Sequence, residues 1–169
     1  MATHARPVNV GDLESLAPID TAYAGARALE GVVSRAALHL YERSGHSFVS
    51  QTDAGAVTGF VLAQAIWSGD RAVVSVNRLA LADDDDLESA SALVKALSKS
   101  AYDSAVYHLE VALPSSDRAP RAALEAELFF ELPNVVYARG LGSRAEVVAR
   151  AAGGRVIGRV GDGRGGADG

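Results

Sequence analysis

Apolar positions alternate in some stretches of the chain and recur at three- and four-residue steps in others, and the two periods predict strands and helices in turn. Residues 6–10 alternate and predict a first strand. Gly11 and Asp12 turn the chain, and the Asp12 carboxylate can accept from the free N–H groups of a helix beginning near Leu13; Pro18 limits that helix or marks a second start. Over residues 32–44, Val33, Ala37, Leu40 and Tyr41 line one helical face, and Gly45 supplies the left-handed stop. Strands follow at 46–51 and 57–68, joined by the hairpin residues Asp53, Ala54 and Gly55. The second is apolar on both faces from Thr58 to Trp67, which predicts a place in the middle of a sheet. Ser68, Gly69 and Asp70 turn the chain into a valine-rich strand over 71–81. Leu87, Ala90, Val94, Leu97 and Ala101 then form the clearest helical stripe, ending near Ser104. A strand over 108–113 closes at Pro114. Pro120 suits the first turn of a helix reaching about Leu128, and two last strands, 129–132 and 135–141, flank Pro133 and Asn134.

Composition changes this picture at the C-terminus. From Gly153 onward the chain is mainly glycine and arginine, and the stretch Gly161 to Gly166 buries too little surface to offset its ordering entropy. The expected organisation is one domain over 1–144 and a disordered tail over 145–169, with room for a short helix at 145–152. Acidic residues outnumber basic ones, 21 to 16, so the formal net charge of -5 repels nucleic acid and anionic membranes at long range. The tail arginines Arg144, Arg150, Arg155, Arg159 and Arg164 have no aromatic residue after Tyr137 to make a base-stacking platform, and they read as a solvated terminus. No apolar run approaches the ~20 residues that span a bilayer, and the N-terminus lacks the apolar core of an export signal. With no cysteine in the sequence, disulfides, thiol catalysis and thiolate metal sites are excluded. A cytoplasmic protein with neither nucleic acid nor membrane as partner is the expectation.

Several residues are candidates for chemistry. The run Asp83 to Asp86 reads as a capped, acid-rich helix start; clustered carboxylates also suit a hard cation, but the spacing of a calcium loop is missing. His46, after a glycine turn, is either a general base or a hydrogen-bonded structural histidine. His39 lies off the apolar helix face and reads as solvated; His108 opens a strand without an assigned role. Asn77 and Arg78 are neighbours on the 71–81 strand, so alternation sends them to opposite faces and at most one meets a substrate. That strand has no carboxylate, and Glu110 on the next strand is the nearest in sheet order. Tyr102 can pack its ring and bond its hydroxyl, and Trp67 covers the core or a dimer face.

The order of elements is strand, two helices, a three-strand meander, helix, strand, helix, two strands. With it go the segments Arg43-Ser44-Gly45-His46-Ser47-Phe48, Gly59-Phe60-Val61-Leu62-Ala63-Gln64-Ala65-Ile66-Trp67, Lys99-Ser100-Ala101-Tyr102-Asp103 and Leu141-Gly142-Ser143-Arg144. Over residues 6–144 the chain resembles a small bacterial family within the GNAT (N-acetyltransferase-like) superfamily. The resemblance implies an α/β fold of the α+β kind, a mostly antiparallel mixed sheet flanked by helices. It implies acyl transfer from acetyl-CoA or another acyl-CoA to a small amine, with no metal. The backbone of Leu79, Ala80 and Leu81 would hold the pantetheine arm and polarise the thioester, and Asp86, Leu87 and Glu88 would stand at the diphosphate. The sequence departs from the superfamily's pattern there. The usual arginine falls at Asp85, the usual glycines at Asp86, Glu88 and Ala90, the usual tyrosine near Glu125 and the usual asparagine near Arg118. No catalytic base is identified. The alternative is a non-catalytic GNAT-like binding or regulatory module, or one that dimerises through Phe129, Phe130 and Val135 to Tyr137.

Overall fold

The computed structural model describes residues 2–134. Its sheet is built around one long hairpin, β3 (Val57–Ser68) and β4 (Arg71–Leu81), turned at Gly69 with φ +66°. Both strands have the bounds expected from the sequence, because apolar runs flanked by turn residues mark both ends. β2 (Phe48–Thr52) pairs antiparallel with β3 through a turn at Gly55, and β1 (Thr3–Pro7) pairs antiparallel with β2. β5 (Leu109–Val111) runs parallel to β4, giving the order β1-β2-β3-β4-β5. This is the mixed, mostly antiparallel sheet that the sequence implies, with β3 in the middle.

Helices cover both faces. On one, α3 (Leu87–Asp103) and α4 (Arg118–Ala126) bury Leu93, Val94, Leu97, Ala123 and Leu124 against Val61, Val74, Val76, Leu79 and Leu81. On the other, α1 (Leu13–Ala26) and α2 (Arg35–Ser44) bury Leu16, Tyr23, Leu38 and Tyr41 against Val49, Phe60, Leu62 and Ala80. Among the described residues no helix is long and apolar enough to cross a membrane.

Several elements differ from their sequence reading: β2 and β5 are Phe48–Thr52 and Leu109–Val111, not 46–51 and 108–113, and four further differences have physical causes. β1 begins at Thr3, not at residue 6: as an edge strand it carries polar residues, so its alternation is weak. The valines read as its end lie beyond it, where Asn9 caps a 3-10 turn (Val10–Asp12) and Arg6 pairs with Asp12 at 2.6 Å. Pro18 neither ends nor restarts α1. It removes one backbone bond, and the helix continues to Ala26. α2 starts after Ser34, whose side chain accepts from the Ala37 N–H at 3.2 Å. Its buried face is Leu38 and Tyr41, while Leu40 is 55% exposed; at 100° per residue Leu40 is carried well round from Leu38. Residues 129–132 form no strand. Leu128 takes a left-handed φ of +65° and the Phe129 N–H bonds the Leu124 carbonyl at 3.0 Å, so this stretch closes α4. The compact unit that includes these elements runs from Met1 to Pro133. The strand expected at 135–141, the boundary at 144 and the tail expected over 145–169 lie outside the described residues.

A β-bulge interrupts the pairing of β4 with β3. Leu62 pairs with Arg78 and Ala63 with Val76, leaving Asn77 as the extra residue. Asn77 and Arg78 therefore point to the same face, correcting the alternation argument. Asn77 Nδ2 donates to the Tyr41 hydroxyl of α2 at 2.6 Å, and Arg78 reaches α1 and the loop after it.

Candidate functional site

β5 pairs with β4 only from Val74 to Val76, opposite Leu109 to Val111. Past that point β4 has β3 on one side and no strand on the other among the described residues. In an antiparallel pair the N–H and C=O groups of successive residues point alternately to the two sides. The Ala82 N–H donates to Thr58 C=O at 2.8 Å, so Leu79 and Leu81 turn theirs towards the side that β5 has left. Ala80 turns its amide to β3, with its side chain in the α1–α2 core. The side chains of Leu79 and Leu81 are buried under α3 and α4.

Asp86, Leu87 and Glu88 stand at the start of α3 with different surroundings. Asp86 caps the helix, accepting from the Ser89 N–H at 3.0 Å. Leu87 is exposed. Glu88 accepts from the Thr3 N–H of β1 at 2.7 Å and lines a shallow depression with Ser91, Ala92 and Lys95. The structure thus gathers the β4 amides at the opening and ties Glu88 to the far edge strand. The aspartate run is likewise divided among separate partners: Asp83 accepts from the Asp85 N–H, Asp84 meets Arg27 at 2.9 Å, and Asp85 meets Arg118 at 3.4 Å.

The sequence reading missed a buried polar web beside this opening. α1 carries Asp20, Tyr23 and, just past its end, Arg27; α4 begins after the fully buried Asp117. Tyr23 donates its hydroxyl to Asp117 Oδ2 at 2.5 Å, and Arg27 Nε donates to Asp117 Oδ1 at 2.7 Å. Burial and the Asp117 carboxylate push the Tyr23 phenol well above its usual range, so it stays protonated and donating. Burial alone would lower the Arg27 pKa, but its bonds to Asp117 and Asp84 outweigh that and raise it. The Arg27 guanidinium lies 3.9 Å over the Tyr23 ring, and that of Arg78 is 5.0 Å from the same ring. Arg78 Nη2 donates to the Glu30 carbonyl at 2.7 Å, while Asp20 Oδ2 accepts from the Val32 and Val33 N–H groups at 2.6 and 2.9 Å. These two buried charges, 3.6 Å apart, clamp the backbone of the α1–α2 loop beside the bulge. A signal for the web exists in the sequence: Asp20, Tyr23 and Arg27 follow three- and four-residue steps along the stripe of Leu16 and Ile19.

The remaining candidates lie elsewhere. Glu110 is exposed on β5, one pair before the strands part, and meets His108 Nε2 at 3.0 Å. Tyr102 is exposed and packs edge-on to Tyr107 at 5.9 Å, and Trp67 projects from the hairpin end. His39 is exposed, as expected. His46 is buried, with Nδ1 3.0 Å from Ser100 Oγ. Ser100 donates its proton to the Leu97 carbonyl at 2.8 Å, so it accepts from His46 Nδ1–H. This is a structural contact, and it joins two of the segments that carried the sequence resemblance.

Burial holds the His46 pKa below its usual value. The unfolded chain therefore binds more protons between the folded pKa and about 6.5. The contribution is fully present above pH 6.5 and is lost as pH falls through that window. Urea midpoints should fall between pH 7.5 and 5.5, with His46 contributing up to about 1.4 kcal/mol per pH unit, and His46→Asn should remove that component.

Comparison with known proteins adds a family and a fold. The sequence model of a family described as "Protein of unknown function (DUF1999)" matches residues 20–156. Curated protein sequences give no match. Among solved structures, TTHA1254 from Thermus thermophilus is 34% identical, with a TM-score of 0.69 over 83% of this chain and 99% of that one. A ribosomal-protein-alanine N-acetyltransferase from Brucella melitensis biovar Abortus 2308 is 16% identical, with a TM-score of 0.64 over 83% of this chain and 100% of that one. AAC(6')-Iy, solved with the bisubstrate analogue CoA-S-monomethyl-acetylneamine, is 16% identical, with a TM-score of 0.58 over 84% of this chain and 100% of that one. At such identities the last two speak for the fold alone, and that fold is the GNAT acetyltransferase fold.

Proposed function

We propose for this chain, which belongs to the DUF1999 family of proteins of unknown function and has the GNAT fold, the transfer of an acyl group from acyl-CoA to an amine. The observation that carries this reading is the opening past Val76, with the Leu79 and Leu81 amides turned towards it. Donors fixed on a strand stabilise charge that develops on a thioester carbonyl oxygen at little reorganisation cost. The amine nitrogen bonds to the carbonyl carbon, the C–S bond breaks and CoA leaves as the thiolate. The amine's proton passes to a base; Glu110 is the strand carboxylate beside the point of divergence. The β4–α3 loop lacks an arginine of its own, but Arg27 and Arg118 reach it from other elements, where a diphosphate could compete for them with Asp84 and Asp85.

Calorimetric titration with acetyl-CoA and CoA tests the reading, with micromolar binding of both expected. Amine acceptors can then be screened by thiol release, against no protein thiol background because the chain has no cysteine. If neither ligand binds, the reading fails. The second reading, a non-catalytic module, would then stand; the carboxylates of Asp83 to Asp86 at the start of α3 favour it because they repel a polyanion.

A further inference from the structure

α1 and α4 pack on opposite faces of the sheet. The bond from Tyr23 to Asp117 nevertheless joins them directly, and since it cannot pass through paired strands it goes round the sheet, near the end of β4, where Arg27 holds the same Asp117 and reaches Asp84. Arg27 reinforces the crossing: it holds Asp117 from the α1 side, lies against the Tyr23 ring and reaches Asp84 on the β4–α3 loop. Three elements that border the opening are thus tied together by two side chains of α1 and its end. Tyr23 and Asp117 are buried and the Arg27 side chain is 10% exposed, so water competes little for these bonds.

We propose that Tyr23 and Arg27 form a latch that holds the opening between β4 and β5 shut, and that a ligand enters it only after Asp117 has been released from them. The latch stands on this chain's own contacts; that the entering ligand is an acyl-CoA rests on the function proposed above. A closed state of this kind weakens the apparent affinity by the fraction of molecules in which it is open.

Tyr23→Phe keeps the ring under both guanidiniums and removes the hydroxyl that crosses to α4. Amide hydrogen exchange without ligand reads the latch at single residues. The Leu79 and Leu81 amides should exchange about tenfold faster in the variant, the scale of losing one bond to a charged acceptor, while those of β2 and β3 keep their rates. Arg27→Lys, which retains the charge but not the fork that spans Asp84 and Asp117, should give a smaller increase at the same amides. Unchanged exchange at Leu79 and Leu81 in both variants, or an equal rise across the sheet, would overturn the latch. Acetyl-CoA titration of the same proteins separates the two ideas. Selective exchange with tighter binding supports both, whereas selective exchange without binding upholds the latch and sinks the acyl-CoA reading.

Discussion

Arg27→Met will cost about 3–5 kcal/mol of folding stability, the range for removing one partner of a buried ion pair. The loss falls on Asp117, which is 1% exposed and keeps only the Tyr23 hydroxyl among its strong side-chain donors. Asp84 is exposed enough to be served by water and contributes little. The pairing itself need not be worth that much, since the figure is mainly the cost of stranding a carboxylate away from water. Arg27→Met with Asp117→Asn should therefore recover much of the loss, and urea unfolding of the two single variants and the double one checks it as a coupling energy. A double variant no more stable than Arg27→Met would mean that the guanidinium acts chiefly by packing on Tyr23.

Phe60→Ala should be comparably damaging, at about 3–5 kcal/mol. Phe60 is 0% exposed on β3, opposite Val49 on β2 and Ala80 on β4. Its ring belongs to the core between the sheet and the α1–α2 layer, and Ala80 is too small to collapse into the cavity. Leu40→Ala is the matched control: on the exposed side of α2 it should change stability by about 0.5 kcal/mol or less. Thermal and urea unfolding of the pair would test both the core assignment and the corrected helix face. A Leu40 variant as damaging as the Phe60 variant would contradict the difference in burial between the two residues.

The long hairpin and α3 were legible in the sequence because their signals are local. Glycine turns bracket β3 and open β4, the aspartate run follows β4, and Leu87 to Ala101 repeat with helical period even though Leu87 itself proves exposed. The faces of Asn77 and Arg78 were not legible, because a bulge belongs to the pairing of two strands and neither strand's alternation announces it. The end of α4 misled for a related reason: Phe129 and Phe130 look like strand residues, but one returns to the α4 carbonyls and the other is 82% exposed. The candidate site was legible only as backbone positions. Its loop showed aspartates where an arginine is usual, and nothing local indicated that Arg27 and Arg118 would arrive from α1 and α4. Tyr23 and Asp117 are 94 residues apart in the chain, beyond the reach of any spacing rule, and became a pair only through the fold.

The same separation matters during biosynthesis. A ribosome adding about 5–20 residues per second takes roughly 5–20 seconds to make the stretch from Tyr23 to Asp117. Throughout that interval the Arg27 guanidinium and the Tyr23 phenol have no Asp117 to meet, and α1 must wait in contact with water or with whatever apolar surface has already emerged. The hairpin and α3 can assemble as they emerge, since their contacts are near in sequence. The polar crossing between α1 and α4 is therefore completed last, and a nascent chain stalled before residue 117 would carry its arginine and tyrosine unmatched.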